Sequence, residues 1–129
     1  MTALENILLA QERKMFAFAN AEHIRQAETI LECVALTHQR NTPASELSYG
    51  QQKLLTLGCC IANNAELLLI DEPVAGIDKD NFKKITALVR ELRDSGKTIL
   101  QIEHHPGYIK ETSDRVFWME GGHLREEAC

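Results

Sequence analysis

Two acidic side chains follow an apolar run near the middle of the chain, in an arrangement that is typical of a functional strand end. Residues 67–70 (LLLI) are all apolar, and Asp71, Glu72 and Pro73 come directly after them. A short apolar run of this kind predicts a buried strand of an α/β sheet. Such sheets keep their ligands at the carboxyl ends of their strands. We therefore expect both carboxylates at a functional sheet edge.

A second chemical signal lies upstream, where a helix is predicted to begin. Ser48 stands three residues before Gln51, which is the spacing of a capping box, so the helix should start at Tyr49. The N-terminus of a helix attracts anions through its unpaired amides and its dipole. With Gly50 in the first turn, we expect this turn to be open to an approaching anionic group.

These motifs together resemble the second half of an ABC-transporter ATPase. The resemblance has four parts in the family's order: LSYGQ at 47–51 as the signature motif, LLLIDE at 67–72 as the Walker B strand with its glutamate, AGID at 75–78 as the D-loop, and IEHH at 102–105 as the switch-histidine loop.

The resemblance extends over nearly the whole chain and is closest to one subfamily. The phrase LSYGQQKLL, with Tyr49 where most signatures have glycine, is similar to the ATPases of branched-chain amino-acid and urea importers. The segment 2–10 (TALENILLA) resembles the stretch that follows the Q-loop there. Cys59 and Ala65 depart from the family, which usually has arginine and proline at these positions.

The resemblance implies a role for each motif residue. Asp71 would hold magnesium through a water molecule, Glu72 would polarise the attacking water, and His104 would contact the γ-phosphate of ATP. In the family's dimer, the signature and D-loop of one subunit act on the ATP of the other. The residues that would serve in this way are Ser48, Tyr49, Gly50, Gln51 and Asp78.

The same residues also have plain structural explanations. A single Asp-Glu pair after a strand is usually a solvated turn, and adjacent histidines such as His104 and His105 are often surface residues. Ser48 and Asp78 are good helix N-caps with or without a ligand. For the cap residues both explanations can hold, because a capped helix start is also an anion site.

A phosphate-binding loop is not found within the 129 residues. Walker A requires G-x-x-x-x-G-K-[ST] between a strand and a helix, and the only Gly-Lys-Thr is Gly96-Lys97-Thr98. This tripeptide is predicted to run from a helix into a strand, which is the reverse order, and Glu91 occupies the place of the first glycine. Gly96 is better explained as a helix C-terminal residue. By resemblance, the Q-loop glutamine and the aromatic residue that stacks on adenine would lie before Met1.

Three helices are predicted in the first half of the chain. Thr2 and Glu5 form another capping-box pair, so we expect a helix over residues 3–19 that Asn20 ends. An apolar stripe predicts a second helix over residues 21–37. The third is the signature helix.

The second half is predicted to be a βαβ unit followed by a hairpin. Asp78 is expected to cap a helix that Gly96 closes, and residues 98–103 to form a strand parallel to the first. Pro106 suits the first position of a short helix. Residues 115–120 are expected to form a third strand, followed by a Gly-Gly turn into a short return.

The expected fold is therefore α/β: a partial P-loop NTPase core of the ABC ATPase type, with parallel strands, a C-terminal hairpin and a helical signature subdomain. We assign residues 1–64 to the helical subdomain and residues 65–129 to the C-terminal part of the ATPase core.

Composition is that of an ordinary globular domain. Hydrophobic residues make up 44% and charged residues 26%, and the net charge of -5 argues against nucleic acid as a partner. Apolar runs are far shorter than the roughly 20 residues of a membrane helix. The four cysteines have no C-x-x-C spacing and are expected to be buried, reduced thiols, and the histidines lack metal-ligand spacing.

The resulting functional hypothesis is the C-terminal portion of an ABC-transporter ATP-binding protein, which would use ATP and Mg²⁺ only with a Walker A-bearing half present. The expected partners are that half or a second ATPase subunit, and a membrane permease subunit, at the cytoplasmic face of the membrane. The alternative is a truncated regulatory module that pairs with an intact ATPase or permease without hydrolysis. By resemblance a P-loop strand is missing between residues 98–103 and 115–120, so the isolated chain should close this gap internally or, as we favour, form a homo-oligomer.

Overall fold

The computed structural model describes residues 1–11 and 20–127. Within these residues three helices precede an alternation of strands and helices. In chain order the elements are α1 (Ala3–Gln11), α2 (Ala21–Cys33), α3 (Tyr49–Ala62), β1 (Leu67–Asp71), α4 (Lys79–Asp94), β2 (Thr98–Ile102), α5 (Pro106–Thr112), β3 (Phe117–Glu120) and β4 (His123–Glu126).

Helices α1, α2 and α3 pack together in the first half of the chain. Their facing side chains are almost fully buried, with exposed fractions of 0% for Ile7, 1% for Leu31 and 1% for Leu54. Gly58 of α3 allows close approach to α1, because a Cβ atom there would lie 2.9 Å from Ile7 Cδ1. The three helices therefore share one buried apolar core.

The predicted capping box of α1 is confirmed. The Thr2 amide donates to Glu5 Oε2 at 2.7 Å, and the Glu5 amide donates to Thr2 Oγ1 at 3.2 Å. The helix is described as far as Gln11, and the rest of the predicted span, residues 12–19, lies outside the described residues.

Helix α2 begins at Ala21, as predicted, but ends earlier than predicted. Asn20 caps α2, since its side chain accepts a hydrogen bond from the amide of His23 in the first turn. Its predicted role at the end of the preceding helix concerns residues outside those described. The helix ends at Cys33, four residues early, because Ala35 adopts a left-handed conformation with φ of 56°. The Leu36 amide then donates to the Leu31 carbonyl at 2.8 Å, which closes the helix as glycine usually does and buries Leu36.

The predicted βαβ unit is confirmed. Strands β1 and β2 pair in parallel, from Leu67 opposite Thr98 to Asp71 opposite Ile102. Helix α4 connects them and is closed by Gly96 at a φ of 92°. The buried face of α4 includes Ile85, Leu88, Val89 and Leu92.

Strand β1 is not buried on both faces, contrary to the prediction. Leu68 faces the helices and is 3% exposed, whereas Leu67 is 54% and Leu69 71% exposed. On the same face of β2, Leu100 is 64% and Ile102 66% exposed. The physical reason is that, within the described residues, helices cover only one face of this two-stranded sheet.

The C-terminal hairpin is confirmed, but its first strand begins at Phe117, two residues later than predicted. Gly121 and Gly122 have φ angles of 55° and 80°, as a two-residue hairpin turn requires. In the described residues β3 pairs with β4 and not with β2. The hairpin has therefore not moved across to fill the gap beside β2.

Candidate functional site

The N-terminus of α3 is held by the predicted capping box. The Ser48 amide donates to Gln51 Oε1 at 2.9 Å, and the Gln51 amide donates to Ser48 Oγ at 3.3 Å. The side chains of Ser48 and Gln51 therefore both cap the start of α3. The other amides of the first turn have no partner within the helix, so the helix start keeps its anion-binding character.

Gly50 is closed by packing, which corrects the expectation that it leaves the first turn open. The residue is buried, and a Cβ atom there would lie 2.6 Å from Asn81 Nδ2 and 2.9 Å from Asn81 Cβ. Glycine is therefore required so that α3 can approach the start of α4. Tyr49, in contrast, is 58% exposed, and Lys53 Nζ lies 5.0 Å from the centroid of its ring.

Asp78 caps α4 and connects to the same contact. Its Oδ1 accepts from the Asn81 amide at 3.0 Å, and its Oδ2 accepts from Asn81 Nδ2 at 2.6 Å. These hydrogen bonds, those of Asn81 first, lower the pKa of the Asp78 carboxyl below its ordinary value. The signature helix and the D-loop are therefore joined through one buried side chain, Asn81.

The two acidic residues lie at the carboxyl end of β1, as predicted. Asp71 is the exposed last residue of the strand, and Glu72 follows with a left-handed φ of 44°. The Glu72 carbonyl accepts a hydrogen bond from Lys53 Nζ of α3. The Glu72 carboxylate points towards the end of β2, where Oε1 lies 3.6 Å from His104 Nδ1.

The adjacent histidines have different environments. His105 Nδ1 accepts from the Tyr108 amide at 3.2 Å, which caps α5, and its ring lies 4.8 Å from that of Phe82. The His104 side chain is 77% exposed and faces Glu72. His105 therefore has a structural role as the cap of α5, whereas the His104 side chain remains accessible to a ligand.

A third carboxylate, Glu103, which lies within the IEHH motif but was given no role from the sequence, lies beneath this pair. The Glu103 side chain is only 2% exposed, and its oxygens accept hydrogen bonds from the amides of Val74, His104 and His105 at 3.3, 2.9 and 3.3 Å. The available signal was an acidic residue at the end of a strand, where parallel sheets hold their polar groups.

The donor set fits magnesium but not, by itself, the phosphates of ATP. Mg²⁺ is held in proteins by one or two carboxylates together with waters and substrate phosphates, and Asp71 supplies such a carboxylate. The Gly96-Lys97-Thr98 tripeptide closes α4, since the amides of Gly96 and Lys97 donate to the carbonyls of Arg93 and Leu92. It is therefore a helix end and not a phosphate loop.

The cysteines do not all follow the expectation of burial. Cys33 is exposed at the end of α2, whereas Cys59 and Cys60 are partly buried on α3. Burial raises the pKa of the Cys59 thiol, with a further contribution from Cys60, and burial alone raises that of Cys60.

Comparison with known proteins identifies the family. A family model described as ABC transporter matches residues 1–75. LivG of Escherichia coli (strain K12), a high-affinity branched-chain amino acid transport ATP-binding protein, is 34% identical over an alignment covering 95% of this chain and 53% of LivG.

Two solved structures share the fold. The ADP conformation of MJ1267, an ATP-binding cassette of an ABC transporter, has a TM-score of 0.80 at 32% identity, covering 97% of this chain and 54% of MJ1267. A dimeric post-hydrolysis structure of the ATP-binding cassette MJ0796, with bound ADP and Pi, has a TM-score of 0.85 at 28% identity, covering 98% and 56%.

The likeness to these solved cassettes shows that the chain has a partial P-loop NTPase fold. Since the family model covers more than half of it, the chain belongs to the ABC transporter family. It spans about half the length of the curated relatives that it matches. In the described residues no helix is both long and apolar enough to cross a membrane.

Proposed function

We propose that this chain supplies the signature, Walker B and switch-histidine part of an ATP-binding subunit that couples ATP hydrolysis to membrane transport. The observation that carries the proposal is the approach of the Glu72 carboxylate to the His104 imidazole, at 3.6 Å, beside Asp71. A carboxylate and an imidazole that meet at the carboxyl ends of two parallel strands can act on one water and one phosphate.

Each of the three residues has a distinct role in this proposal. Asp71 holds magnesium, which when bound neutralises phosphate charge. Glu72 orients the attacking water and accepts its proton, while His104 donates a hydrogen bond to the terminal phosphate. These roles require the half of a cassette that carries the phosphate loop.

A second set of residues serves a partner's nucleotide. The start of α3, at Ser48, Tyr49, Gly50 and Gln51, offers backbone amides to an anion, and Asp78 lies in the loop that meets the other subunit. Because Gly50 is packed against Asn81, the anion would be met by the outer side of this turn, where Tyr49 is exposed.

We propose residues 1–64 as the helical subdomain and residues 65–129 as part of the catalytic core. The proposed partners are a Walker A-bearing half or second ATPase subunit, and a membrane permease subunit at the cytoplasmic face. The relatives are named ATP-binding proteins, and no observation favours the alternative of a regulatory module without hydrolysis.

The proposed role of Glu72 is tested by completing the cassette. The half of MJ1267 that this chain does not match is fused to residues 1–129, and steady-state ATP turnover is measured. Glu72→Gln should abolish turnover and leave ATP binding nearly intact, because it removes basicity without changing shape. Glu66→Gln, which changes an exposed carboxylate at the far end of β1, is the matched control. Near-normal turnover in Glu72→Gln would show that the assignment is wrong.

The need for the other half is tested on the chain alone. Calorimetry with magnesium and millimolar ATP should give no saturable heat, since phosphate affinity in this fold comes largely from a glycine-rich loop and its lysine. A saturable signal at micromolar ATP would contradict the proposal.

A further inference from the structure

We propose that Glu103 is a positioning residue for the hydrolysis site, and that its buried carboxylate fixes the loop carrying His104 to the loop that follows Glu72. This proposal rests on the function proposed above. Glu103 lies within the IEHH motif but has no role in that function, and we infer that it sets the distance between two residues that do.

The two carboxylate oxygens of Glu103 accept hydrogen bonds from different loops. Oε1 accepts from the amides of His104 at 2.9 Å and His105 at 3.3 Å, both on the loop after β2. Oε2 accepts from the amide of Val74 at 3.3 Å, on the loop after β1. One side chain thus bridges the two loops that present the reacting groups.

The Val74 end of the bridge lies away from solvent, whereas His104 and His105 are exposed. The Glu103 side chain is 2% exposed and Val74 is 7% exposed, so water is poorly placed to replace a lost acceptor. Leaving the Val74 amide buried without an acceptor would therefore be unfavourable. The loops should therefore separate or rearrange when the bridge is broken.

The His104 imidazole is also placed by its contacts with two carboxylates. His104 Nδ1 lies 3.8 Å from Glu103 Oε1 and 3.6 Å from Glu72 Oε1, so the imidazole is held between two carboxylates. Between the backbones of the two strand ends, the described residues also show a hydrogen bond from the Glu72 amide to the Ile102 carbonyl, at 2.9 Å. That bond continues the sheet and does not fix the loops beyond it. Glu103 supplies this link.

A carboxylate is needed at position 103 because both of its oxygens accept hydrogen bonds. A glutamine has one oxygen and one NH₂ group, so one of the two loops would face a donor instead of an acceptor. An aspartate keeps the charge but is shorter by one methylene, so it should serve the neighbouring His104 and His105 amides and fail to reach Val74.

The first test uses the complete 129-residue chain without nucleotide. Amide hydrogen exchange should accelerate about tenfold or more at Val74 or at His104 and His105 in Glu103→Gln, and at Val74 alone in Glu103→Asp, while the amides of β1 keep their protection. Glu66→Gln is the control for the same chemical change at an exposed site. Unchanged protection in both Glu103 variants, or a loss spread evenly through β1, would overturn the proposal.

The second test uses the fused cassette. Glu103→Gln should lower kcat about tenfold or more and leave KM for ATP within about threefold, because the group positions His104 and does not touch nucleotide. An unchanged kcat would refute the positioning role even if exchange is accelerated. If the unsubstituted cassette has no turnover, the proposed function fails, and the exchange measurements still decide whether Glu103 joins the two loops.

Discussion

Neighbouring residues of the same type have separate tasks at the site, and the difference is set by what each side chain contacts. His105 is fixed by capping α5 and packing against Phe82, whereas His104 is exposed beside Glu72. The protonation of Asp78 and of the cysteines also depends on what each side chain contacts.

The first prediction concerns Asp78 and pH. Its carboxyl has a lowered pKa in the folded chain because Asn81 and Asp80 donate hydrogen bonds to the ionised form. A lowered folded-state pKa stabilises the fold above the ordinary value and loses this effect as pH falls through the folded value. Asp78→Asn should therefore lower Tm at pH 7, and the difference from the unsubstituted chain should shrink below about pH 4. Thermal unfolding of both chains, followed by circular dichroism from pH 7 to pH 3, measures this difference in Tm. A difference in Tm that is constant with pH would contradict the prediction.

The second prediction concerns the cysteines. Cys59 and Cys60 are partly buried with raised pKa, so they stay protonated at neutral pH, whereas Cys33 is exposed. The thiolate is the reactive form. Iodoacetamide at pH 7.5 should therefore alkylate Cys33 well before the pair on α3, as peptide mass mapping of a time course would show. Equal alkylation rates at Cys33, Cys59 and Cys60 in the folded chain would contradict the partial burial of the pair on α3.

At the scale of elements, helix starts were predictable because their signals are local. The caps at Ser48 and Asp78 and the proline at Pro106 all act within one turn, and each begins a helix where expected. The end of α2 was not predictable, because Ala35 takes a left-handed conformation that favours glycine, and burial of Leu36 in the core accompanies it.

The site shows the same division between local and distant causes. Asp71, Glu72 and His104 were placed correctly at two strand ends because each follows an apolar run that predicts a strand. The βαβ rule makes the two strands parallel, so that these ends meet at one edge. The role of Glu103 depends on Val74, which is 29 positions away in sequence, and no local pattern reports such a contact. The packing of Gly50 against Asn81 was missed for the same reason.

The packing of Gly50 gives a prediction for two helices. Alanine is favoured over glycine within a helix by about 0.8–1.0 kcal/mol, so propensity alone would make Gly50→Ala stabilising. A Cβ atom would, however, lie 2.6–2.9 Å from the Asn81 side chain, which Asp78 holds in place. Overpacking of this kind costs about 1–3 kcal/mol, so we expect net destabilisation in urea unfolding.

The matched control for this prediction is the Asn81→Ala background. There the Nδ2 and Cγ atoms are gone and only the Cβ contact at 2.9 Å remains, so Gly50→Ala should be less destabilising than in the unsubstituted chain, which gives a coupling between the two positions in a double-mutant cycle. A stabilising effect of Gly50→Ala in the unsubstituted chain would show that α3 and α4 are not in tight contact.

At the scale of the whole molecule, one surface remains uncovered by the described residues. Leu67, Leu69, Leu100 and Ile102 are 54–71% exposed on one face of the two-stranded sheet. Parallel sheets are normally covered on both faces. The outer edge of β2 also has no strand beside it in the described residues, so its amides and carbonyls can pair with another chain.

The last prediction is that the isolated 129-residue chain associates with a second copy through this edge and face. Pairing along β2 would satisfy its backbone groups, and burial of four large apolar side chains would supply the free energy, because an apolar patch of several hundred Å² is seldom left exposed by a monomer. Light scattering after size exclusion should give the mass of a dimer or larger species. Hydrogen exchange should show protection also of those amides in Thr98–Ile102 that do not pair with β1. Leu69→Glu should shift the mass towards the monomer. Leu9→Glu should not, since Leu9 is 60% exposed but lies on α1, away from the sheet. A stable monomer at high concentration, with rapid exchange along β2, would contradict self-association through this strand.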